Sequence, residues 1–398
     1  MNFTSPLSIY IIWHPSFKEG KEIANSLYSL FCRDYNKPLN KTLGIPVYFR
    51  SEVFEDSKTP KNIDFNESEY NAIVPLINED FTLDEQYKEY LENLLKDCSA
   101  SKGKSKIYPI ALTKGAYTFS KSLAEINFIR ADKIEQNICS PDNNRQTKLY
   151  SLLKISLLHE FCRLLLNMKK AVDEVETLDH SNPPVKLFIS HSKHDESKYD
   201  ALKFRDYINS ETQLKTFFDA NDIAYGSNFG EEIKTAVKDS ALVAFQSDSY
   251  SEREWCRIEV LTAKKVGCPV VIVNAIKNGE KRIFPYMGNY PSIRFNENFD
   301  EIIGLTLEQV LYNSFTRRLL DNITNLYRIS AHSILSTYPE LYTFIQLKER
   351  SIDTDSEFKL IIYPDPPLGT EESNVLNELD DNYHFITPTT LPSILLNK

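Results

Sequence analysis

Four short apolar segments, separated by stretches with helical periodicity, constrain the fold of this chain more than any other feature. The segments are VKLFIS (185–190), LKTFFD (214–219), ALVAFQS (241–247) and PVVIVN (269–274). Strands that alternate with helices form parallel βαβ units, and segments that are apolar on both faces suit a sheet covered by helices on both sides. The pattern therefore predicts an α/β fold with a doubly wound parallel sheet of flavodoxin-like strand order.

In a sheet of that order, the ligand crevice lies between the first and third strands, beyond their carboxyl ends. Three places in this sequence fit that description: the loop after Ser190, the loop after Asp219 and the helix that follows Ser247. We expect the functional residues of this segment to lie at these places.

The helix after the third strand carries start signals in its sequence. Ser251 and Glu254 have the spacing of a capping box, with Ser251 as the N-cap and Glu254 at N3. Tyr250 and Trp255 occupy the two positions of a hydrophobic staple. These signals predict a helix that is capped by Ser251.

The same helix carries stop signals and a candidate acid. Lys264 and Lys265 favour the negative end of the helix dipole, and Gly267 can supply the left-handed residue after the last turn. Trp255 and Glu259 are four residues apart, which places both on one face of the helix. Glu259 is therefore expected about one turn inside the helix and close to the predicted crevice.

Charge and hydropathy exclude two classes of partner. The formal net charge is -10 and no long Lys or Arg cluster offsets it, so direct nucleic-acid binding is not expected. The most apolar helical segment, residues 151–168, contains Lys154, His159, Glu160 and Arg163. A membrane-spanning helix would not tolerate these groups, and the N-terminus lacks the pattern of a signal peptide. We expect a cytoplasmic protein that does not enter a membrane.

Six scattered cysteines indicate neither a metal site nor a redox motif. They are Cys32, Cys98, Cys139, Cys162, Cys256 and Cys268. No two form a CxxC pair, and the acidic residues Asp365, Glu371 and Glu372 lack nearby His or Cys partners. We therefore expect reduced thiols and no bound metal.

Composition shifts divide the chain into parts. The predicted divisions are a first domain (1–170), an acidic Pro-containing linker (171–184), the βαβ domain described above (185–312), and a helical and small α/β C-terminal region (313–398). The last region contains one strand-turn-helix-strand unit, in which Thr370 is the expected N-cap. No chemistry can be assigned to that region from its residues.

Three motifs in the second domain resemble the TIR domain family. VKLFISHSKHDE is similar to the first strand and loop of TIR domains, and FFDANDIAYGSNFGEEIKTAVKDS to their second strand, BB loop and following helix. SDSYSEREWCRIEV resembles the Trp-Cys-x-x-Glu helix of plant immune-receptor and bacterial TIR domains. The motifs occur in the family's order and cover about a third of the chain.

The resemblance implies an enzyme that cleaves NAD⁺, with Glu259 as its essential acid. Nicotinamide leaves a cationic pyridinium as a neutral molecule, so no second carboxyl group is needed to protonate it. One positioned anion can stabilise the oxocarbenium-like ribose. NAD⁺ is then the substrate, and no cofactor is expected. Without the surrounding motifs, a Glu on an amphipathic helix would be interpreted as a solvated surface group.

Five further residues are candidates for the nucleotide pocket. They are Ser190, His191, Asp219, Trp255 and Cys256. For three of them, ordinary structural roles compete with this interpretation. Asp219 could cap the amides of its loop, His191 could be a surface histidine, and Trp255 could belong to the core.

The first domain looks like a diverged copy of the second. SIYIIWHPSF parallels VKLFISHSKH, and Thr82-Leu83-Asp84-Glu85 repeats the capping box after the third strand. In this alignment Tyr90 falls at the position of Glu259, and the neighbouring Glu89 is rotated about 100° around the helix. We therefore interpret residues 1–170 as a degenerate TIR-like domain, retained for binding or assembly.

As a whole, the chain resembles bacterial anti-phage TIR effectors, which implies activation by oligomerisation. Self-association would use the BB loop, Asp219–Phe229, and an activator or sensor that the sequence does not identify. Two alternatives remain open at this stage. One is a TIR cyclase that makes a cyclic ADP-ribose signal, and the other is a non-enzymatic TIR adaptor or scaffold.

Overall fold

The structure is a computed structural model of the 398-residue chain. It describes residues 3–36, 42–53, 59–101, 103–137, 143–166, 183–195, 197–218, 229–238, 240–279, 284–329, 333–350 and 359–395. The chain forms two compact units. Unit 1 is Met1–Leu157 with Asp321–Tyr327, and unit 2 is Leu158–Leu320 with Arg328–Lys398.

Unit 1 contains a parallel sheet with the strand order β2-β1-β3-β5-β6, and β4 also pairs with β3. Its strands are β1 (Ser5–Trp13), β2 (Val47–Arg50), β3 (Ser68–Ile77), β4 (Ser105–Ile107), β5 (Ile110–Ala111) and β6 (Ile129–Arg130). Its helices include α1 (Lys18–Phe31), α2 (Glu79–Leu83), α3 (Glu85–Ala100) and α4 (Lys121–Ala124). The central strands β1 and β3 are almost entirely buried, as expected for a sheet covered on both faces.

Unit 2 contains the parallel sheet that the sequence predicted, in the order β11-β10-β9-β7-β8. Its strands are β7 (Lys186–His191), β8 (Lys215–Phe218), β9 (Ala241–Gln246), β10 (Val270–Asn274) and β11 (Ser292–Arg294). Helices α6 (Ser197–Glu211), α7 (Phe229–Lys238) and α8 (Glu254–Val266) connect the strands. Counted from its own first strand, each of the two sheets follows the flavodoxin-like order, which confirms the predicted fold class.

Two long helices complete the scaffold: α5 (Asn143–Leu166) and α9 (Phe299–Tyr327). The sequence-based boundary between 312 and 313 falls inside α9, and most of the linker 171–184 lies outside the described residues. The domain limits inferred from the sequence therefore remain predictions.

The C-terminal module (333–350 and 359–395) belongs to unit 2 and contains three parallel strands in the order β12-β13-β14. Its elements are β12 (Ser333–Ile334), α10 (Thr343–Arg350), β13 (Lys359–Ile362), α11 (Thr370–Leu379), β14 (Tyr383–Ile386) and α12 (Leu391–Leu395). The sequence predicted β13, α11 and β14 but neither β12 nor α10. Both are too short to show a periodic pattern.

The predicted helix caps were wrong at three helices. Helix α8 starts after Arg253, and the hydroxyl of Ser251 instead accepts a hydrogen bond from the Phe284 amide at 3.1 Å. Asp84, not Thr82, caps α3 by accepting from the Gln86 amide at 2.8 Å.

The third helix is α11, where Gly369 is the N-cap and Thr370, the predicted N-cap, is the first helical residue. The carboxylate of Glu372 accepts the Gly369 amide at 2.8 Å, so this helix keeps one half of a capping box without a capping hydroxyl. At the other end of α8, the left-handed conformation predicted for Gly267 is confirmed, with φ 69° and ψ 30°.

His159 provides a pH-sensitive contact inside unit 2. Its Nε2 accepts a hydrogen bond from the Val185 amide at 3.1 Å, and burial, reinforced by Arg163, lowers its pKa to about 4. The folded chain thus keeps this ring neutral, whereas the unfolded chain protonates it below about pH 6.5. The contribution of His159 to the free energy of unfolding is fully present above pH 6.5 and is lost as the pH falls towards 4.

We therefore expect the free energy of unfolding to fall by roughly 3 kcal/mol more in the wild type than in His159→Gln between pH 7 and pH 4. Glutamine can accept the same amide hydrogen but does not titrate. Urea unfolding of both proteins across this pH range measures the difference. Parallel pH profiles would contradict the assignment.

Candidate active site

Glu259 lies on α8 and faces the sheet, with only 3% of its surface exposed. The hydroxyl of Ser190, near the carboxyl end of β7, donates a short hydrogen bond to its Oε2. The structure thus brings together two residues that the sequence placed at the predicted crevice. A carboxylate this deeply buried is costly unless it accepts such hydrogen bonds.

Tyr250 extends this contact into a three-residue chain. Its hydroxyl lies 2.6 Å from Ser190 Oγ, and its side chain is fully buried. Burial, with the nearby Cys256 and Glu259, raises the pKa of Tyr250 well above its usual range. Because Ser190 donates its single proton to Glu259, Tyr250 must donate to Ser190. The order of donation is therefore Tyr250 to Ser190 to Glu259.

His191 and Cys256 line the same region. The imidazole of His191 is buried and stacks on Phe218, with ring centroids 4.5 Å apart. The thiol of Cys256 contacts the carbonyl oxygen of His191 at 3.5 Å. This contact joins the first turn of α8 to the end of β7, so Cys256 helps to fix the helix that carries Glu259.

The remaining two candidates differ in their placement. The side chain of Trp255 is 46% exposed on the first turn of α8, in contrast to Glu259 one turn later. Asp219 lies outside the described residues, as does most of the BB loop. The structure therefore brings Ser190, His191, Cys256 and Glu259 together and leaves Trp255 at the surface.

A second polar cluster lies at the same edge of the sheet, and the sequence analysis did not identify it. The carboxylate of Asp195 accepts hydrogen bonds from the hydroxyls of Ser247 at 2.6 Å and Ser249 at 2.5 Å. Ser249 also contacts the hydroxyl of Ser192 at 2.7 Å. These hydrogen bonds connect the loops after β7 and β9 at the edge of the sheet where a ligand crevice is expected in this topology. The hydroxyl-rich sequence directly after β9 was the available signal.

Strand register aligns the two units residue by residue. Ile9 pairs with Ala72 in unit 1, and Leu187 pairs with Ala241 in unit 2. Helices α3 and α8 both start on a glutamate. This register makes Trp13, not His14, the counterpart of His191, so the sequence alignment of the first strand was one residue out. His14 instead contacts the Asp84 carboxylate at 3.3 Å.

In unit 1, apolar or aromatic residues stand where unit 2 has the hydrogen-bonded residues Tyr250, Ser190 and Glu259. Ile12 stands at the position of Ser190, Phe81 at that of Tyr250, and Tyr90 at that of Glu259. All three belong to one buried hydrophobic cluster. The Tyr90 hydroxyl donates to the Lys61 carbonyl oxygen at 3.0 Å. The same fold is therefore built without a carboxylate at this position.

The arrangement in unit 2 can hold a carboxylate in one orientation with two hydroxyl groups behind it. A carboxylate positioned in this way suits the stabilisation of developing positive charge. Within the described ranges, no group of three or more His, Cys, Asp or Glu side chains could hold a metal ion. No helix of the described residues is long and apolar enough to cross a membrane.

The Tyr250 hydroxyl should matter for activity through Ser190. In Tyr250→Phe, Ser190 loses its donor, and we expect kcat to fall about tenfold, ~1.4 kcal/mol of barrier. Tyr207→Phe is the matched control, because Tyr207 donates to Asp300 at 2.6 Å in the same unit. Steady-state turnover of NAD⁺, the substrate that the sequence resemblance implies, measures both variants. Equal losses in the two would contradict a specific role for Tyr250.

A family model and several solved structures match parts of this chain. The family model described as TIR domain matches residues 187–304. A search of the curated proteins returns no match. Among solved structures, the TIR domains of the activated Roq1 resistosome, which directly recognises the pathogen effector XopQ, are 15% identical at a TM-score of 0.23. That match covers 36% of this chain and 98% of the other.

A second solved structure, the glycotransferase of kitacinnamycin, is 8% identical at a TM-score of 0.22, covering 81% of this chain and 95% of the other. At identities and TM-scores this low, neither structure is evidence for the fold or function of this chain. The sheet order of unit 2 defines a flavodoxin-like α/β domain with an acid at the carboxyl end of its first strand. With the family match, residues 187–304 of this chain are a TIR domain.

Proposed function

We propose that the TIR domain hydrolyses NAD⁺ to nicotinamide and ADP-ribose, with Glu259 as the catalytic carboxylate. The observation that carries the proposal is the buried Glu259 carboxylate, which Ser190 and Tyr250 hold at the carboxyl end of β7. A carboxylate has no structural necessity there, because unit 1 places Ile12, Phe81 and Tyr90 at the same three positions. A retained, costly charge therefore favours a chemical role.

The proposed step breaks the bond between C1′ of the ribose and the pyridinium nitrogen. The bonding electron pair leaves with nicotinamide, which becomes neutral, and positive charge develops on the ribose. Glu259 stabilises that charge, and its own orientation is fixed by Ser190. Water then adds to C1′ and releases one proton. Tyr250 keeps its proton throughout, because its pKa is raised.

We further propose that the protein acts in immunity, as a cytoplasmic effector that oligomerises through its TIR domains when an activator or sensor binds. Unit 1 would then serve binding or assembly, as a degenerate TIR-like domain. This part of the proposal rests on the family resemblance and on the loss of the hydrogen-bonded chain in unit 1. Expected partners are NAD⁺ and further copies of the same chain, with neither nucleic acid nor membrane.

The decisive experiment incubates the purified full chain with NAD⁺, at increasing protein concentration, and identifies the products by mass. Nicotinamide with ADP-ribose supports hydrolysis. Nicotinamide with a product one water lighter than ADP-ribose indicates the cyclase, in which the adenine replaces water as the acceptor. Assembly with no nicotinamide release would support the scaffold instead and overturn the enzymatic proposal.

A further inference from the structure

Lys264 is a buried cation on the helix that carries Glu259. Only 5% of its surface is exposed, although it lies in the last turn of α8. Its Nζ is 2.7 Å from Oε1 of Glu340 and donates to the Tyr286 carbonyl oxygen at 3.3 Å. The sequence predicted only a favourable interaction with the helix dipole. The structure shows a specific pairing with the C-terminal module.

Aromatic rings surround the same ammonium group. The Nζ atom is 5.0 Å from the ring centroid of Tyr290 and 5.8 Å from that of Tyr342, both within cation–π range. The rings of Tyr286 and Tyr342 also meet edge to face at 5.8 Å. We call Tyr286, Tyr290, Glu340 and Tyr342 the Lys264 socket. The TIR domain supplies two of its members and the C-terminal module supplies the other two.

Glu340 is itself fixed from two sides. Its second carboxylate oxygen accepts a hydrogen bond from the Asn289 side chain in the TIR domain. Its amide donates to the Thr343 hydroxyl at 2.9 Å, at the start of α10. The acid that meets Lys264 is therefore held both by the module and by the loop that supplies Tyr286 and Tyr290.

Lys264 is the buried member of this ion pair, and the Glu340 side chain is 30% exposed. Such a pair adds little to stability, because desolvation of the buried charge offsets much of the attraction. Two apolar residues would join the surfaces equally well. The pair instead disfavours any arrangement in which the Lys264 ammonium group stays buried without Glu340. The socket thus favours one orientation of α8 relative to the module.

Glu259 and Lys264 are five residues apart, so their side chains project about 140° apart around the helix. One faces β7 through Ser190, and the other faces the C-terminal module through Glu340. Helix α8 is therefore held between the sheet and the module. A rotation or shift of α8 that breaks one contact displaces the other.

We propose that Lys264 is a positioning residue for NAD⁺ cleavage, and that the C-terminal module sets the position of Glu259 through it. This inference rests on the proposed function for its kinetic consequence. It assigns a role to the C-terminal module, for which the sequence offered none. The module acts on the reaction without touching the substrate.

The kinetic test uses Lys264→Met, Glu340→Gln and the double variant in the full chain. We expect each single change to lower kcat about tenfold to a hundredfold, because small displacements of a catalytic group are costly. KM should stay within about threefold of the wild type. The double variant should be no worse than the poorer single, since both changes remove the same contact. Lys265→Met, on the same turn but exposed, should leave kcat unchanged.

Amide hydrogen exchange tests the same coupling without turnover. In Glu340→Gln, the amides of α8 should exchange about tenfold faster, an opening free energy lower by ~1.4 kcal/mol, while those of β9 stay protected. Unchanged kcat in both single variants, or α8 exchange equal to the wild type, would overturn the proposal. If the wild type releases no nicotinamide, the proposed function fails, and the exchange result alone decides the coupling between module and helix.

Discussion

Glu259→Gln should abolish NAD⁺ cleavage while the fold becomes no less stable. We expect turnover to fall by about a thousandfold, ~4 kcal/mol of barrier, because the amide cannot stabilise positive charge on the ribose. Glutamine keeps the size of the side chain and can still accept the Ser190 hydroxyl. Removal of a charge that is only 3% exposed should leave the free energy of unfolding unchanged or higher.

The opposite signs of these two effects make the result diagnostic. A structural acid would lose stability when neutralised, whereas a functional acid loses activity and can gain stability. Nicotinamide release and urea unfolding should therefore be measured on the same preparation. A turnover within about tenfold of the wild type, ~1.4 kcal/mol, would contradict the assignment of Glu259 as the catalytic carboxylate.

Two matched controls accompany this variant. Glu254→Gln makes the same chemical change at an exposed position on the same helix. Tyr90→Phe alters the corresponding position in unit 1, where the hydroxyl donates to the Lys61 carbonyl oxygen. Both should retain turnover close to the wild type. A loss in Tyr90→Phe equal to that in Glu259→Gln would instead indicate that unit 1 takes part in the chemistry.

Much of the TIR sheet could be predicted from the sequence, because its strands are apolar runs with clear ends. The predicted strand 185–190 differs from β7 by one residue at each end, and the predicted strand 269–274 differs from β10 by one residue at its start. The polar residues after β7 and the helix after β9 could also be located, since the topology places them at one edge of the sheet. These regularities depend on local patterns alone.

The alignment between the two units could not be fixed in the same way. Strand β1 is buried along its whole length, so it lacks the alternation that would identify its faces. The hydrophobic pattern of β1 therefore fits two alignments with β7 that differ by one residue. Only the pairing of Ile9 with Ala72 shows that Ile12 is the counterpart of Ser190.

The partners of Ser251 and Lys264 could not be predicted for a different reason. The pattern around Ser251 fits a capping box, but Ser251 instead accepts the amide of Phe284, far along the chain. Lys264 likewise finds Glu340 in the C-terminal module. Such contacts depend on how distant segments meet, and helix propensity or charge at one position says nothing about them.

The described conformation suggests why activity should depend on assembly. Glu259 is 3% exposed and His191 6%, so the proposed reaction requires a change in this region that exposes the carboxylate to its substrate. Under the proposed function, a site that was always open would deplete the NAD⁺ of the cell. A trigger that binds the competent state more tightly shifts the population towards it, and oligomerisation is the simplest such trigger.

The BB loop is the segment that we expect to make the contact between copies. Its placement lies outside the described residues, apart from Phe229 at the start of α7, so this expectation rests on its sequence. Ile223, Tyr225 and Phe229 put three large apolar side chains on one connection. Apolar groups concentrated in this way are typical of interaction surfaces.

Tyr225→Asp should therefore suppress both assembly and NAD⁺ cleavage, with specific activity at least about tenfold lower, ~1.4 kcal/mol. Tyr199→Asp is the matched control, because Tyr199 is 66% exposed on α6 and the same charge is introduced there. Sedimentation and turnover, measured on the same samples over a range of concentrations, should rise together in the wild type and in the control. A strictly monomeric wild type with full, concentration-independent activity would refute the assembly model. The Glu259 assignment would survive that result, since it concerns the chemistry of the site and not the way in which the site is opened.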